Sequence, residues 1–154
     1  MLSNINIAEV NTKMTTDVRN TTKITEIDGS LDSVRDNPEI RITKILREIG
    51  MPAHVKGYYY VREAILLMLN SSDPYCPTTK VIYPTVAQMY TTTPSKVDRA
   101  IRNAIDLAWD HSDFEDLYRY FGYTGLGHRG RPTNCEFISM IADHVRLQMK
   151  NCKY

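Results

Sequence analysis

Between Thr93 and Trp109 the apolar residues Val97, Ala100, Ile101, Ala104, Ile105 and Ala108 recur at i, i+3, i+4, i+7, i+8 and i+11. Only an α-helix gathers that spacing onto one face. Thr93-Pro94 supplies a capping hydroxyl followed by a first-turn residue with no N–H to lose. Just upstream, Val86, Ala87 and Tyr90 mark a short helix, and Thr91-Thr92-Thr93 separates the two. The segment from about 83 to 109 therefore reads as a helix-turn-helix.

The rest of the chain supplies partners for that unit. Asn37-Pro38-Glu39 is a helix start, Ile42, Ile45, Leu46 and Ile49 form one stripe, and Gly50 followed by Pro52 closes it. Val61, Ala64, Ile65, Met68 and Leu69 form a second helix that stops at Ser71-Ser72-Asp73-Pro74, and the adjacent Leu66 and Leu67 make it the expected central helix. Ser112 with Glu115, and Thr133 with Glu136, have capping-box spacing ahead of two further apolar stripes. Val81-Ile82-Tyr83 is cut by Pro84, and no segment sustains period-two alternation. The expected class is all-α, about six helices, of the winged-helix-like kind with no clear wing.

Residues 1–36 are rich in Thr, Asn and Asp, with aliphatics at no sustained period, and are expected to be a disordered leader before a helical domain over 37–154. A short element around Ile24 to Leu31, with Asp28-Gly29 as its turn, stays open. The net charge of +1 conceals an uneven distribution: residues 1–39 carry four Lys/Arg against seven Asp/Glu, leaving fifteen against eleven, or +4, behind them. That balance is compatible with nucleic acid but does not by itself argue for it.

Several chemistries are disfavoured. Cys76, Cys135 and Cys152 form no Cys-x-x-Cys pair, and His54, His111, His128 and His144 are scattered, so no metal, cofactor or Cys-His nucleophile is expected. Gly125-x-Gly127-x-x-Gly130 imitates a dinucleotide fingerprint but lacks the preceding strand. Tyr58, Tyr59 and Tyr60 are read as one ring inside and two at an interface rather than as a stacking platform. No leader peptide or membrane span is apparent, the longest apolar run being around Ile65 to Leu69. A cytoplasmic protein is expected.

The face of the Thr93-capped helix opposite its apolar stripe presents Ser95, Lys96, Asp98, Arg99, Arg102, Asn103 and Asp106. Arginine can take both acceptors of guanine and asparagine both polar groups of adenine in the major groove, read mainly through the first turns of such a helix. Candidate base contacts are Lys96, Asp98, Arg99, Arg102 and Asn103. Candidate backbone contacts are Lys80, Thr92, Ser95, Arg129 and Arg131.

The segments ITKILREIGMPAHVKGYYYVREAI, TKVIYP, TTPSKVDRAIRNAIDLAW, YFGYT and PTNCEFISMIAD, taken in order from about Ile42 to Leu147, resemble the C-terminal DNA-binding domain of the stage zero sporulation protein A family of response regulators. The resemblance implies a six-helix domain that binds double-stranded operator boxes of the TGTCGAA type. It also implies pairing as a dimer on tandem sites, contact with the sigma subunit of RNA polymerase, and a place on the bacterial nucleoid. At Lys96, Asp98, Arg99, Arg102 and Asn103 the family usually carries Arg, Glu, Arg, Arg and His. Lys96 loses a bidentate fork, Asp98 is shorter, and Asn103 cannot become cationic, so an altered box preference follows. The family's phosphorylatable receiver normally stands ahead of this domain, where this sequence has about forty polar residues. The chain thus reads as a short paralogue or a fragment. An alternative class is an adaptor that engages the polymerase or a full-length regulator without strong DNA binding. The basic Arg99 and Arg102 favour DNA over that alternative.

Overall fold

The computed structural model describes residues 37–151 apart from 74, 76 and 127–129, with nothing given of the side chains of 123–126. The chain divides into two units, Met1–Arg35 and Asp36–Tyr154, and the description concerns the second. The expected leader, His128, Arg129, Cys76 and Cys152 lie outside the described residues. Six α-helices follow one another: α1 Pro38–Glu48, α2 Lys56–Asn70, α3 Tyr83–Met89, α4 Pro94–His111, α5 Phe114–Leu126 and α6 Asn134–Asn151. Thr78–Ile82 forms a π-helical turn leading into α3. The described residues contain no strand, and none of their helices is long and apolar enough to cross a membrane.

Local chemistry sets the ends of these elements. The Asn37 side chain accepts from Glu39 N–H at 2.9 Å with Pro38 at the first helical position. At the other end Gly50 N–H bonds Arg47 O and Met51 N–H bonds Leu46 O, a Schellman closure in which Gly50 takes φ +67°. The helix proper stops at Glu48, two residues short of the expected end, because Gly50 serves as the closing residue outside it. At α6 the expected capping box forms: Thr133 N–H donates to Glu136 Oε2 at 2.8 Å, and Glu136 N–H donates to Thr133 Oγ1 at 3.2 Å.

The other expected box works differently. The Ser112 hydroxyl donates to the carbonyls of Ile49 and Ala108, so it joins the end of α4 to the end of α1. The first turn of α5 closes instead on the Asp113 carbonyl, through Leu117 N–H. Its helical geometry breaks at Gly122, with φ 56° and ψ −164°.

Helix α2 is the centre, packed against α1, α3, α4, α6 and the π-helical turn. Val61, Ala64, Ile65 and Met68 are buried, as are Ile101, Ala104, Ile105 and Ala108 of α4 and Phe137, Ile138, Ile141 and Val145 of α6. The tyrosine triplet differs from expectation, since Tyr58 and Tyr60 are both buried and only Tyr59 is exposed. Two rings go inside because positions 58 and 60 both fall against neighbours of the central helix, Tyr60 meeting Tyr90 at 4.9 Å.

Close approach of α2 to α4 rests on one residue that pattern reading passes over. A Cβ placed on Gly57 would lie 2.0 Å from the Ala100 carbonyl oxygen and 2.8 Å from Ala104 Cβ. The absent side chain at Gly57 and the small alanines opposite let two backbones meet, and that contact fixes where α4 stands.

Candidate nucleic-acid interface

Helix α3 packs on α4, and the turn between them closes α3 by the same device seen at α1. Thr91 N–H donates to Gln88 O and Thr92 N–H to Ala87 O. Here the left-handed position is held by a β-branched residue, Thr91 at φ 50°, a conformation in which its side chain is strained. Thr93 then caps α4, its hydroxyl accepting from Lys96 N–H at 3.4 Å. The first turns of α4 therefore project outward from a fixed corner.

Val97, Ile101, Ala104, Ile105 and Ala108 face the core, and Ala100 is half-buried over Gly57. Lys96, Arg99 and Asn103 are exposed, at i, i+3 and i+7, so they line one outward stripe. The side chains of the three make no ion pair or hydrogen bond with another described residue. Ser95 is exposed at the helix start, Thr92 is half-buried in the turn, and Lys80 is exposed on the π-helical turn.

The remaining candidates are held to the chain itself. The Asn134 amide donates to both the Asp98 carbonyl, at 3.0 Å, and its carboxylate, at 2.9 Å. Tyr83 lies against the same node. Burial pushes its phenol up to about 12, the neighbouring Asp98 carboxylate adding to the rise and the Asn134 amide opposing it. Arg102 donates from Nε to Asp106 Oδ1 at 3.0 Å and from Nη1 to Pro132 O at 2.7 Å.

Arg131 pairs with Asp106 at 3.2 Å and, more closely, with Asp110. Trp109 Nε1 donates to Gly130 O at 3.0 Å, while its ring packs on Phe121 at a centroid distance of 5.0 Å. Residues 130–134 are thus fastened along α4 from Asp98 to Asp110. This fastening brings Asp98, Arg102 and Arg131 together and leaves Lys96, Arg99 and Asn103 unattached.

Pattern reading did not identify Tyr83, Asp110, Trp109, Pro132 or Asn134 as parts of this arrangement. Only the i, i+4 spacing of Arg102 and Asp106 is a usable signal; the other partners are separated by 15 residues or more. Among the described residues no group of three or more His, Cys, Asp or Glu is placed to hold a metal.

Residues 42–145 match the protein family described as sporulation initiation factor Spo0A C terminal. The chain belongs to that family. The matched segment begins in α1 and ends in α6, so it takes in the helix-turn-helix and the residues fastened along it. Membership makes this a DNA-binding domain of the sporulation transcription regulators.

Proposed function

We propose that this Spo0A-type domain reads double-stranded DNA in the major groove through Lys96, Arg99 and Asn103. Asp98 and Arg102 flank that stripe, and Lys80, Thr92 and Ser95 serve the phosphate backbone, with Arg129 as a further expected contact, while Arg131 is paired with Asp106 and Asp110. The operator is a TGTCGAA-type box whose preferred sequence is altered at the positions served by Lys96 and Asn103. Supporting this reading is one observation above all: the first turns of a capped, rigidly seated helix expose two cations and an amide that have no internal partner. Occupation of tandem boxes as a dimer and contact with the polymerase sigma subunit belong to the same reading, as does a cytoplasmic, nucleoid-bound location.

A gel-shift titration against a TGTCGAA duplex and a scrambled duplex tests it. Arg99→Ala is expected to cost about 1–3 kcal/mol on the box and much less on scrambled DNA. Lys80→Ala is expected to weaken both duplexes alike and to lower the salt slope by about one. If Arg99→Ala and Arg102→Ala both leave the box-to-scrambled ratio unchanged, the reading helix is misassigned and the adaptor reading replaces it.

A further inference from the structure

The outward stripe of α4 does not end with its cations. Arg99, Asn103, Asp106 and Asp110 follow one another at i, i+4, i+7 and i+11, so the line that begins with base readers continues as carboxylates. Two carboxylates beside DNA phosphates would repel them. Each, however, is answered by an arginine from beside the stripe. Arg102 Nη2 lies 2.5 Å from Asp106 Oδ1, and Arg131 bridges Asp106 and Asp110. Side chains in these pairs remain between a third and about half exposed, from 36% to 55%, so the whole cluster stands at the surface where a duplex would lie.

Geometry decides what these arginines can offer. Arg102 has its Nε and Nη2 on one carboxylate oxygen and its Nη1 on the Pro132 carbonyl. Arg131 has Nη1 and Nη2 on two different aspartates. Neither guanidinium presents a free fork, and their two charges are cancelled within the cluster. Lys96 and Arg99 have no such partner.

We propose that Asp106 and Asp110 are specificity-determining residues: by neutralising Arg102 and Arg131 on the protein they suppress sequence-independent phosphate attraction and leave recognition to the stripe of Lys96, Arg99 and Asn103. This deepens the DNA-reading proposal and rests on it. Non-specific affinity scales with the number of phosphates a protein neutralises, whereas base-edge contacts set discrimination. Two uncancelled arginines beside the readers would strengthen binding to every sequence. The cluster holds them in place without that consequence.

The experiment titrates a scrambled duplex and a TGTCGAA duplex with wild type, Asp106→Asn, Asp110→Asn and the double variant, at 50 mM and 200 mM salt. Each arginine released to a phosphate steepens the salt slope by about 0.9, worth about 3.5-fold in affinity over that fourfold change in salt. The double variant is therefore expected to bind scrambled DNA more tightly at 50 mM with a slope steeper by up to about two, and its box-to-scrambled ratio is expected to fall. Asp143→Asn makes the same charge change beside Arg146 on α6 and should alter the slope little. Adding Arg131→Gln to Asp110→Asn should cancel most of the gain. Asp106→Glu should restore the wild-type slope, which separates loss of the carboxylate from any loosening of the fold. Unchanged or weakened scrambled binding by the aspartate variants overturns the proposal, as does an equal gain from Asp143→Asn. Wild type that binds neither duplex refutes the DNA-reading proposal itself and is distinguishable from both.

Discussion

Replacing Gly57 by alanine tests the contact that seats α4 against α2. The new methyl would be built 2.0 Å from the Ala100 carbonyl oxygen, 2.7 Å from the Ala100 carbonyl carbon and 2.8 Å from Ala104 Cβ. Ordinary contact begins above 3 Å, so α2 and α4 must part by more than 1 Å, and the nearest atom is backbone that no rotamer change can move. Overpacking of this kind costs typically 1–3 kcal/mol, against a gain in helix propensity of at most about 1 kcal/mol. Because the clash is with backbone, Gly57→Ala falls at the upper end, a net loss of about 2 kcal/mol. For a domain of this size that lowers the unfolding midpoint by roughly 8 °C, measured by circular dichroism against exposed Lys56→Ala as control. Adding Ala104→Gly should rescue little, because it removes the 2.8 Å contact and leaves the 2.0 Å one. A midpoint for Gly57→Ala within about 2 °C of wild type would refute the claim that the helices meet backbone to backbone here.

Two further outcomes concern the turn and the ion cluster. Thr91→Gly relieves a β-branched residue held at φ 50° and should stabilise the domain by about 1 kcal/mol, visible as a higher denaturant midpoint at unchanged slope; a lower midpoint would show that the threonine is not strained. The hydrogen bond from Arg102, with support from Arg131, holds the Asp106 carboxyl below its ordinary value of 3.8 against the opposing effect of burial. A depressed carboxylate contributes stability that is complete above its unfolded value and is lost as pH falls through the folded one. The stability difference between wild type and Asp106→Asn should therefore be constant at neutral pH and shrink below about pH 4, read by urea titration at a series of pH values. A difference that grows on acidification would reverse the assigned direction.

Much of the fold is legible in the sequence because the signals that define it are local. Asn37-Pro38, Thr93-Pro94 and Thr133 with Glu136 each state a helix start within four residues, and the α4 stripe names its own buried face. Ser112 shows where that legibility stops. Its capping-box spacing is real, yet its hydroxyl is drawn to the Ile49 carbonyl, which is 63 residues away. The tyrosine triplet and Gly57 fail for the same reason, since a period gives a face but not what the face meets.

The candidate interface divides along the same line. Lys96, Arg99 and Asn103 are recognisable from spacing alone, being defined by what α4 turns away from its core. The status of Arg102 and Arg131 is not recognisable, because it depends on residues 130–134 lying back along α4, a placement made by Trp109, Asp98 and Asn134 together. A basic residue counted from sequence is a potential phosphate contact, and only its neighbours determine whether its charge is available. Here two of the four cations at Lys96, Arg99, Arg102 and Arg131 are balanced by aspartates on α4 itself. The modest net charge of the domain is thereby compatible with DNA binding. It accompanies a surface on which Lys96 and Arg99 of α4 are exposed while Arg102 and Arg131 are balanced by Asp106 and Asp110.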